Sequence, residues 1–435
     1  MHISPLNIDF KSEIILPRSK SESNRALMIM HYAGIQNFMN SGAHKFNFFE
    51  SSLSTSDDTI LLQKHLNTIN QYLQTTTSDI QCPKVIELDC ANAGTVLRFL
   101  MTAVANLQLA NNNSQLDFLL TGSDRMKERP IKPLVDALRT LGVSIEYLEK
   151  ESYPPVLIKA GEILGGELEI SVDQSSQFVS SLILAAPLWK NGLSLNLKGN
   201  LVSLPYIDMT INMMKNAGID VVRDDRNIIV RHSKYNLENL IIEPDWSAAA
   251  FWYEILALSE KSQIFFKDLN IDSLQADAVI KDVFKNLGVE TLPMDDGVMI
   301  RKTGVIEKFI TFDFTNSPDI FPAVIAACAG LQVDADFYGL KNLSIKESDR
   351  KKAMMAELSK VNIYFEEVSE DILKMRCCED LPCFAEDEAV TFENYKDHRI
   401  AMALVPLAMK VGHVKMENTD VVSKSYPDFF KDYKI

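Results

Sequence analysis

Six short stretches of the sequence join a turn signal to one or more cations. They are "LPRSKSESNRAL" (16–27) with Lys20 and Arg25, "NAGT" (92–95) leading to Arg98, "DRMKERP" (124–130), "KESDR" (346–350), "KDHR" (396–399) and "SKSYPDFF" (423–430) with Lys424. Each is expected where a loop enters a helix, and a helix N-terminus offers unpaired N–H groups and the positive end of a dipole to an anion. Arg grips phosphate or carboxylate with two prongs, whereas Lys acts as a point charge. The set therefore suits a substrate with several anionic groups. For any single cation a solvated surface charge is the simpler account; the shared context argues for a site.

Carboxylates and hydroxyls accompany the cations. Asp319 lies between two prolines in "SPDIFPAV" (317–324), either as an N-cap or as a carboxylate held on a rigid turn. Glu347 stands between Lys346 and Arg350, where an i, i+3 pair on a helix face would also account for it. Ser175, Ser176 and Gln177 open "SSQFVSSLILAAPL" (175–188) ahead of an apolar helix, and N-capping explains them equally well. No GxGxxG, GxxxxGK[ST], HExxH or GxSxG occurs, so nucleotide loops, zinc proteases and serine hydrolases lack support. Of seven histidines, His398 alone falls in a cationic stretch.

The elements that must position these residues follow one pattern. An amphipathic helix ends in Leu-Gly or Ala-Gly and a β-branched residue then starts a strand, as in "VDALRTLGV" (135–143), "TINMMKNAGI" (210–219) and "VIKDVFKNLGV" (279–289). Weaker copies are "LLQKHLNTI" (61–69) and "MMAELSKVNI" (354–363), with Asn67 and Asn362 in the place of glycine. Glycine, and next asparagine, takes the left-handed conformation after a last helical turn. These caps recur at 67, 142, 218, 288 and 362, a spacing that fits the chain about six times. Alternating strands such as "SLNLKG" (194–199) and "NIIVRH" (227–232) make the whole an α/β protein of repeated βα units. The best break is "IIEPDWSAAAFW" (241–252), where Asp245 or Ser247 can cap an alanine-rich helix.

Composition bounds the function class. The chain has 435 residues, 44 Lys plus Arg against 59 Asp plus Glu, and a net charge of -15. Such charge repels a phosphate backbone, so no nucleic-acid partner is expected and the basic clusters are local sites. No run of about 18 apolar residues and no charged-then-apolar leader is present, which predicts a soluble cytoplasmic protein without a membrane partner. Cysteines at 82, 90, 328, 377, 378 and 383 lack the paired spacing of zinc ligands and read as free thiols; no metal and no cofactor are expected.

Taken in order, "LPRSKSESNRAL", "NAGT", "TGSDRMKERP", "SSQF", "LVSLPYIDMT", "SPDIFPA", "IKESDR", "YKDHRIAM" and "SKSYPDFF" resemble the motifs of the EPSP synthase (3-phosphoshikimate 1-carboxyvinyltransferase) family across nearly the whole chain. The resemblance implies a two-domain inside-out α/β barrel with six βαβαββ repeats, three per domain, the substrates lying in the interdomain cleft. The domains would be 20–243 on the shikimate 3-phosphate side, and 1–19 plus 244–435 with the catalytic carboxylates and phosphoenolpyruvate, the chain crossing near Lys20 and Glu243. The implied reaction transfers the enolpyruvyl group of phosphoenolpyruvate to the 5-hydroxyl of shikimate 3-phosphate with release of phosphate. Both substrates carry a phosphate and a carboxylate, which accounts for a cationic site in an acidic chain.

The resemblance assigns catalysis to Asp319 (the hydroxyl proton), Glu347 (the methylene proton) and Lys20 (the bridging oxygen and leaving phosphate). Phosphoenolpyruvate would meet Lys20, Gly94, Arg125, Gln177, Arg350, Arg399 and Lys424. Shikimate 3-phosphate would meet Ser21, Arg25, Ser175, Ser176, Ser203, Tyr206, Asp319, Asn342 and Lys346. The chain departs from the family at Arg18, where glycine is usual, at Phe99 for proline and at Leu204 for a frequent lysine. Segments 36–56 and 366–390 match poorly and read as loops of this lineage. Two rivals remain: the sister transferase acting on UDP-N-acetylglucosamine, against which "RMKERP" and "SNRAL" speak, and a non-catalytic anion-binding module. The expected protein is a monomer covering one synthase.

Overall fold

A computed structural model describes residues 1–6, 9–41, 52–74, 85–107, 116–159, 161–238 and 240–434. The chain divides into two compact units: Lys20–Ser54 with Asp58–Ile242, and Met1–Ser19 with Thr55–Asp57 and Glu243–Ile435. Each has its own apolar core. Pro17–Ser19 and Glu243–Asp245 run together, with Ser19 N donating to Glu243 O at 2.8 Å and Asp245 N to Pro17 O at 2.9 Å.

The unit beginning at Lys20 contains helices α1 (Lys20–Ser41), α2 (Asp57–Gln74), α3 (Gly94–Ala105), α4 (Asp124–Lys127), α5 (Lys132–Thr140), α6 (Ser176–Ala185) and α7 (Leu204–Asn216), of which Asp57 alone falls to the other unit. In its first sheet Val85–Asp89 runs parallel to Asp117–Thr121, which pairs antiparallel with Val156–Lys159, itself antiparallel to Ser144–Tyr147. Gly166–Ser171, Leu193–Lys198, Asn227–Val230 and Val221–Asp224 repeat the same order and polarity.

The other unit holds α8 (Trp246–Leu258), α9 (Ile280–Lys285), α10 (Phe321–Leu331), α11 (Arg350–Ser359) and α12 (His398–Leu404). Its sheets follow the same rule. Lys11–Ile14 lies parallel to Gln263–Lys267, followed by antiparallel Gly297–Lys302 and Val289–Met294. Phe309–Asp313, Asp334–Tyr338, Leu373–Arg376 and Tyr364–Glu367 form the next, and Val390–Phe392, Val414–Met416 and His2–Ile3 a three-stranded third. A parallel pair needs a helical crossover and an antiparallel pair a short turn, which is why each four-stranded sheet reads strand, helix, strand, helix, strand, strand.

The helices divide into two kinds. Those ending in the glycine or asparagine caps are amphipathic and lie half-exposed. A second group, α1, α3, α6, α8, α10 and α12, is buried over nearly all its described residues and fills the cores, α3 packing with α1 and α6, and α10 with α8 and α12. Every residue of α3 is buried except Thr95, of α6 except Gln177 and of α8 except Ser247. Each exception sits in the first turn. A helix buried all round leaves its N-terminal end as the place where polar chemistry can be presented.

The caps behave as the pattern predicts at Gly142, Gly218, Gly288 and Asn362, with φ of 95°, 80°, 80° and 65°. Asn67 does not: it lies exposed inside α2, because buried Ile69 and Asn70 carry the helix another two turns to Gln74. Segment 366–390 is likewise not all loop, since Leu373–Arg376 pairs with Tyr364–Glu367 through buried Leu373 and Met375. In segment 36–56, α1 extends to Ser41, and 42–51 lies outside the described residues, as does Cys82. At Gly218 an added Cβ would touch nothing closer than Asn236 Cβ at 3.5 Å, so the cost there is backbone strain alone. Gly218→Ala should lower stability by about 1–2 kcal/mol, read as a fall in the urea midpoint, while Asn362→Gly should leave it equal or higher.

Candidate active site

One guanidinium organises the unit that carries the expected carboxylates. Arg350, at the first position of α11, is 1% exposed and reaches three acids. Its Nε donates to Asp397 Oδ2 at 2.9 Å, its Nη1 to Asp319 Oδ1 at 2.8 Å and its Nη2 to Glu347 Oε2 at 2.9 Å. Glu347 belongs to a bend before α11, so its i, i+3 pair with Arg350 is not a surface pair on a helix face. Asp397 also accepts from Arg399 N at 3.0 Å, capping α12, and from Ser348 Oγ at 3.0 Å.

Three further cations close the ring. Arg399 Nη2 lies 3.0 Å from Asp319 Oδ2, Lys346 Nζ 3.4 Å from Asp319 Oδ1 and Lys424 Nζ 3.9 Å from Glu347 Oε1. Asp319 sits on a 3₁₀ turn, Pro318–Ile320, that leads into α10, and it provides no side-chain cap there. The prolines thus hold a carboxylate on a rigid turn. Lys424 closes the 3₁₀ turn Thr419–Lys424 instead of opening a helix, and Asn342 lies half-buried on another, Lys341–Ile345.

Electrostatics follow from this packing. Burial alone would raise Asp319, but Arg399, Lys346 and Arg350 hold it well below the usual carboxylate range. Burial pulls Arg350 down, and Asp397, Glu347 and Asp319 outweigh it, so its charge is secure. Behind Asp319 stands Asp277, 2% exposed, which accepts from Ser247 Oγ. Burial first, and then Asp319, push Asp277 up to about 6 against the pull of Arg399 and Ser247.

In the unit beginning at Lys20 the cations gather at three helix starts. Lys20 opens α1 and pairs with Asp58 of α2 at 3.4 Å. Gly94 opens α3 behind Ala93, which supplies no side-chain cap. Ser175 caps α6, its Oγ accepting from Gln177 N at 3.2 Å, and Ser176 follows, buried. The capping reading of Ser175 holds there. Gln177 is fixed at both ends of its amide: Arg98 Nη1 donates to Oε1, and Nε2 donates to Thr95 Oγ1 at 2.9 Å. Arg125, half-buried, pairs with Glu128 at 2.9 Å.

Arg25 is the buried counterpart of Arg350. Its Nε donates to Thr210 Oγ1 at 2.6 Å, Nη1 to Ser21 O at 2.8 Å, and Nη2 to Ser180 Oγ at 3.3 Å and Tyr206 O at 3.2 Å. It ties α1 to α6 and α7, and burial lowers its pKa to about 10. Ser203 precedes α7 in a left-handed conformation, φ 54°, with no side-chain cap bond, and Ser203 and Tyr206 are half-buried.

The structure therefore joins Asp319, Lys346, Glu347, Arg350, Arg399 and Lys424 within one unit, and Ser21, Arg25 and Tyr206 within the other. Sequence reasoning passed over Asp397, Asp58, Thr210, Ser180 and Asp277. Asp397 stood inside a quoted cationic stretch and could have been read as a cap. The others carry no local signal, their partners lying far along the chain, as Thr210 lies 185 residues from Arg25.

Repeated strand–helix sheets around buried helices, with cations at the helix starts, define the two-domain inside-out α/β fold. An EPSP synthase structure from Acinetobacter baumannii shares it, with a TM-score of 0.71 over 99% of this chain and 96% of that one, at 22% identity. The chain belongs to the EPSP synthase (3-phosphoshikimate 1-carboxyvinyltransferase) family, whose model matches residues 7–433. A 3-phosphoshikimate 1-carboxyvinyltransferase of Bacteroides fragilis is 35% identical over 425 residues, 98% of this chain and 95% of the relative. That of Histophilus somni is 31% identical over 447 residues, 99% and 98% of the two chains, and that of the archaeon Methanosarcina mazei 34% over 352 residues, 80% and 78%. The protein is an enzyme, a transferase acting on small molecules. No helix among the described residues is long and apolar enough to cross a membrane.

The two buried acids respond to pH in opposite senses. Asp319 binds its proton more weakly folded than unfolded, so the stability it confers is present above the ordinary carboxylate range and lost in strong acid. Asp277 binds its proton more tightly folded, so the folded state loses stability as pH rises from the unfolded value toward about 6. Asp277→Asn should weaken this slope: the urea midpoint of the variant, followed from about pH 4 to pH 6, should decline less than that of the parent, with buried Glu254, also raised by burial, keeping the remainder.

Proposed function

We propose that this chain transfers the enolpyruvyl group of phosphoenolpyruvate to the 5-hydroxyl of shikimate 3-phosphate, giving 5-enolpyruvylshikimate 3-phosphate and phosphate, as a monomeric cytoplasmic enzyme of the shikimate pathway. The observation that carries the residue-level reading is the convergence of Asp319 and Glu347 on one buried guanidinium, ringed by Arg399, Lys346 and Lys424. Family membership supplies the reaction; this cluster supplies its acid–base groups.

Addition requires a proton on the methylene carbon of phosphoenolpyruvate, which leaves C2 cationic, and removal of the proton from the attacking hydroxyl. Elimination takes a proton back from the new methyl group and expels phosphate. We assign Asp319 to the hydroxyl, Glu347 to the methylene carbon, and Lys20 to the bridging oxygen and departing phosphate. Two carboxylates near the cationic C2 also stabilise it electrostatically.

Charge exchange makes these acids responsive to substrate. Arg350 is committed to Asp397, Asp319 and Glu347, and Arg399 to Asp319. Anionic substrates compete for those cations. As the cations turn to phosphate and carboxylate oxygens, their hold on Asp319 weakens and it moves up toward the range in which protons exchange. Division of binding follows the earlier assignment: Ser21, Arg25, Ser175, Ser176, Ser203, Tyr206, Asp319, Asn342 and Lys346 for shikimate 3-phosphate, and Lys20, Gly94, Arg125, Gln177, Arg350, Arg399 and Lys424 for phosphoenolpyruvate.

Phosphate release should appear when phosphoenolpyruvate is mixed with shikimate 3-phosphate and be absent with UDP-N-acetylglucosamine; the reverse result would move the chain to the sister transferase, and none with either would leave an anion-binding module. Asp319→Asn should lower kcat by roughly 100-fold or more. Near-normal turnover by a folded Asp319→Asn protein would overturn the assignment.

A further inference from the structure

Asn394 is 5% exposed, and both ends of its side-chain amide are taken by backbone. Its Nδ2 donates to Glu417 O at 2.7 Å and to Asn418 O at 3.2 Å, and its Oδ1 accepts from Lys396 N at 3.0 Å. Two carbonyls on one side and an N–H on the other allow the amide one orientation. Its own carbonyl accepts from Asp397 N at 2.8 Å.

The backbone that this amide holds is strained. Tyr395 and Lys396 are left-handed, with φ of 52° and 55°, and so is Asn418, with φ of 49°. Consecutive left-handed residues that bear side chains are costly and persist only where the surroundings over-determine them. On one side Glu357 of α11, 1% exposed, accepts from Glu393 N at 2.9 Å and from Tyr395 Oη at 2.8 Å. On the other side the amide of Asn394 takes the N–H of Lys396, whose side chain is exposed.

These bonds join the segments that carry two cations of the site. Glu417 and Asn418 lead into the turn Thr419–Lys424, which ends at Lys424, and Lys396 and Asp397 lead into α12, whose second residue is Arg399. The turn packs against α12. Asn394 is the junction between them.

We propose that Asn394 is a positioning residue for phosphoenolpyruvate: by clasping Glu417 O, Asn418 O and Lys396 N in one buried amide, it sets the separation of Arg399 and Lys424 and so the span of anion that both can hold. It acts through those two cations. The inference rests on their assignment to phosphoenolpyruvate.

Steady-state kinetics of Asn394→Asp, Asn394→Ser, Lys424→Met and the Asn394→Asp/Lys424→Met double variant test it. Aspartate keeps the shape and the acceptor for Lys396 N but sets a carboxylate against two carbonyls; serine is too short to bridge the two segments. Loss of the clasp predicts a rise of roughly tenfold in KM for phosphoenolpyruvate in Asn394→Asp. KM for shikimate 3-phosphate should stay near that of the parent, a split that general loosening of the fold would not produce. Because the effect runs partly through Lys424, the Asn394→Asp penalty should shrink in the Lys424→Met background. An unchanged KM for phosphoenolpyruvate, equal rises for both substrates, or single-variant effects that multiply in full in the double variant would each overturn the proposal. If Asn394→Asp fails to fold, Asn394→Ser decides by the same criteria. If Lys424→Met leaves KM for phosphoenolpyruvate unchanged, the earlier assignment fails as well; if Lys424→Met raises it and Asn394→Asp does not, this inference alone fails.

Discussion

Arg350 is the constraint on which its unit is built. A guanidinium taken out of water costs several kcal/mol unless its donors are met with good geometry, and here Asp319, Glu347 and Asp397 meet them from three directions. Those acids belong to the turn before α10, the bend before α11 and the cap of α12. No one of these elements can shift without leaving a buried charge uncompensated. The interaction that satisfies Arg350 therefore also fixes where the carboxylates stand.

The helix cores make that placement possible. Helices α8, α10 and α12 are apolar almost throughout, so their sides are consumed by packing and the polar groups stand at or just before their N-terminal turns. The same division holds for α1, α3 and α6, where Arg25 bonds Thr210, Ser180 and two carbonyls. Each unit contains a buried arginine with its donors engaged by the protein, Arg25 in one and Arg350 in the other, and further cations there pair with acids. In the proposed mechanism, binding and acid–base strength are coupled through these shared cations.

Much of this was legible before any fold was known, and the reason is locality. Lys20, Gly94, Ser175, Asp245 and Arg350 were readable as sites where helices begin because capping depends on a few neighbouring residues. The left-handed positions at Gly142, Gly218, Gly288 and Asn362 were readable for the same reason. Asn67 misled because a cap signal inside a helix looks the same over three residues; the buried positions that follow it decide the matter. The strand Leu373–Arg376 was missed because it is short, with two inward residues as its entire pattern.

By itself the sequence determined the order of elements, the repeat, the cations at helix starts and the family, since each depends on residue type and short spacing. Tertiary structure alone decided which charges meet. Asp58 against Lys20, Thr210 against Arg25 and Asp397 against Arg350 are pairings between distant segments. A charge carries no mark of its partner; the pairing is set by which helix ends the packed cores bring to the same place, and by the cost of leaving any buried charge without an opposite.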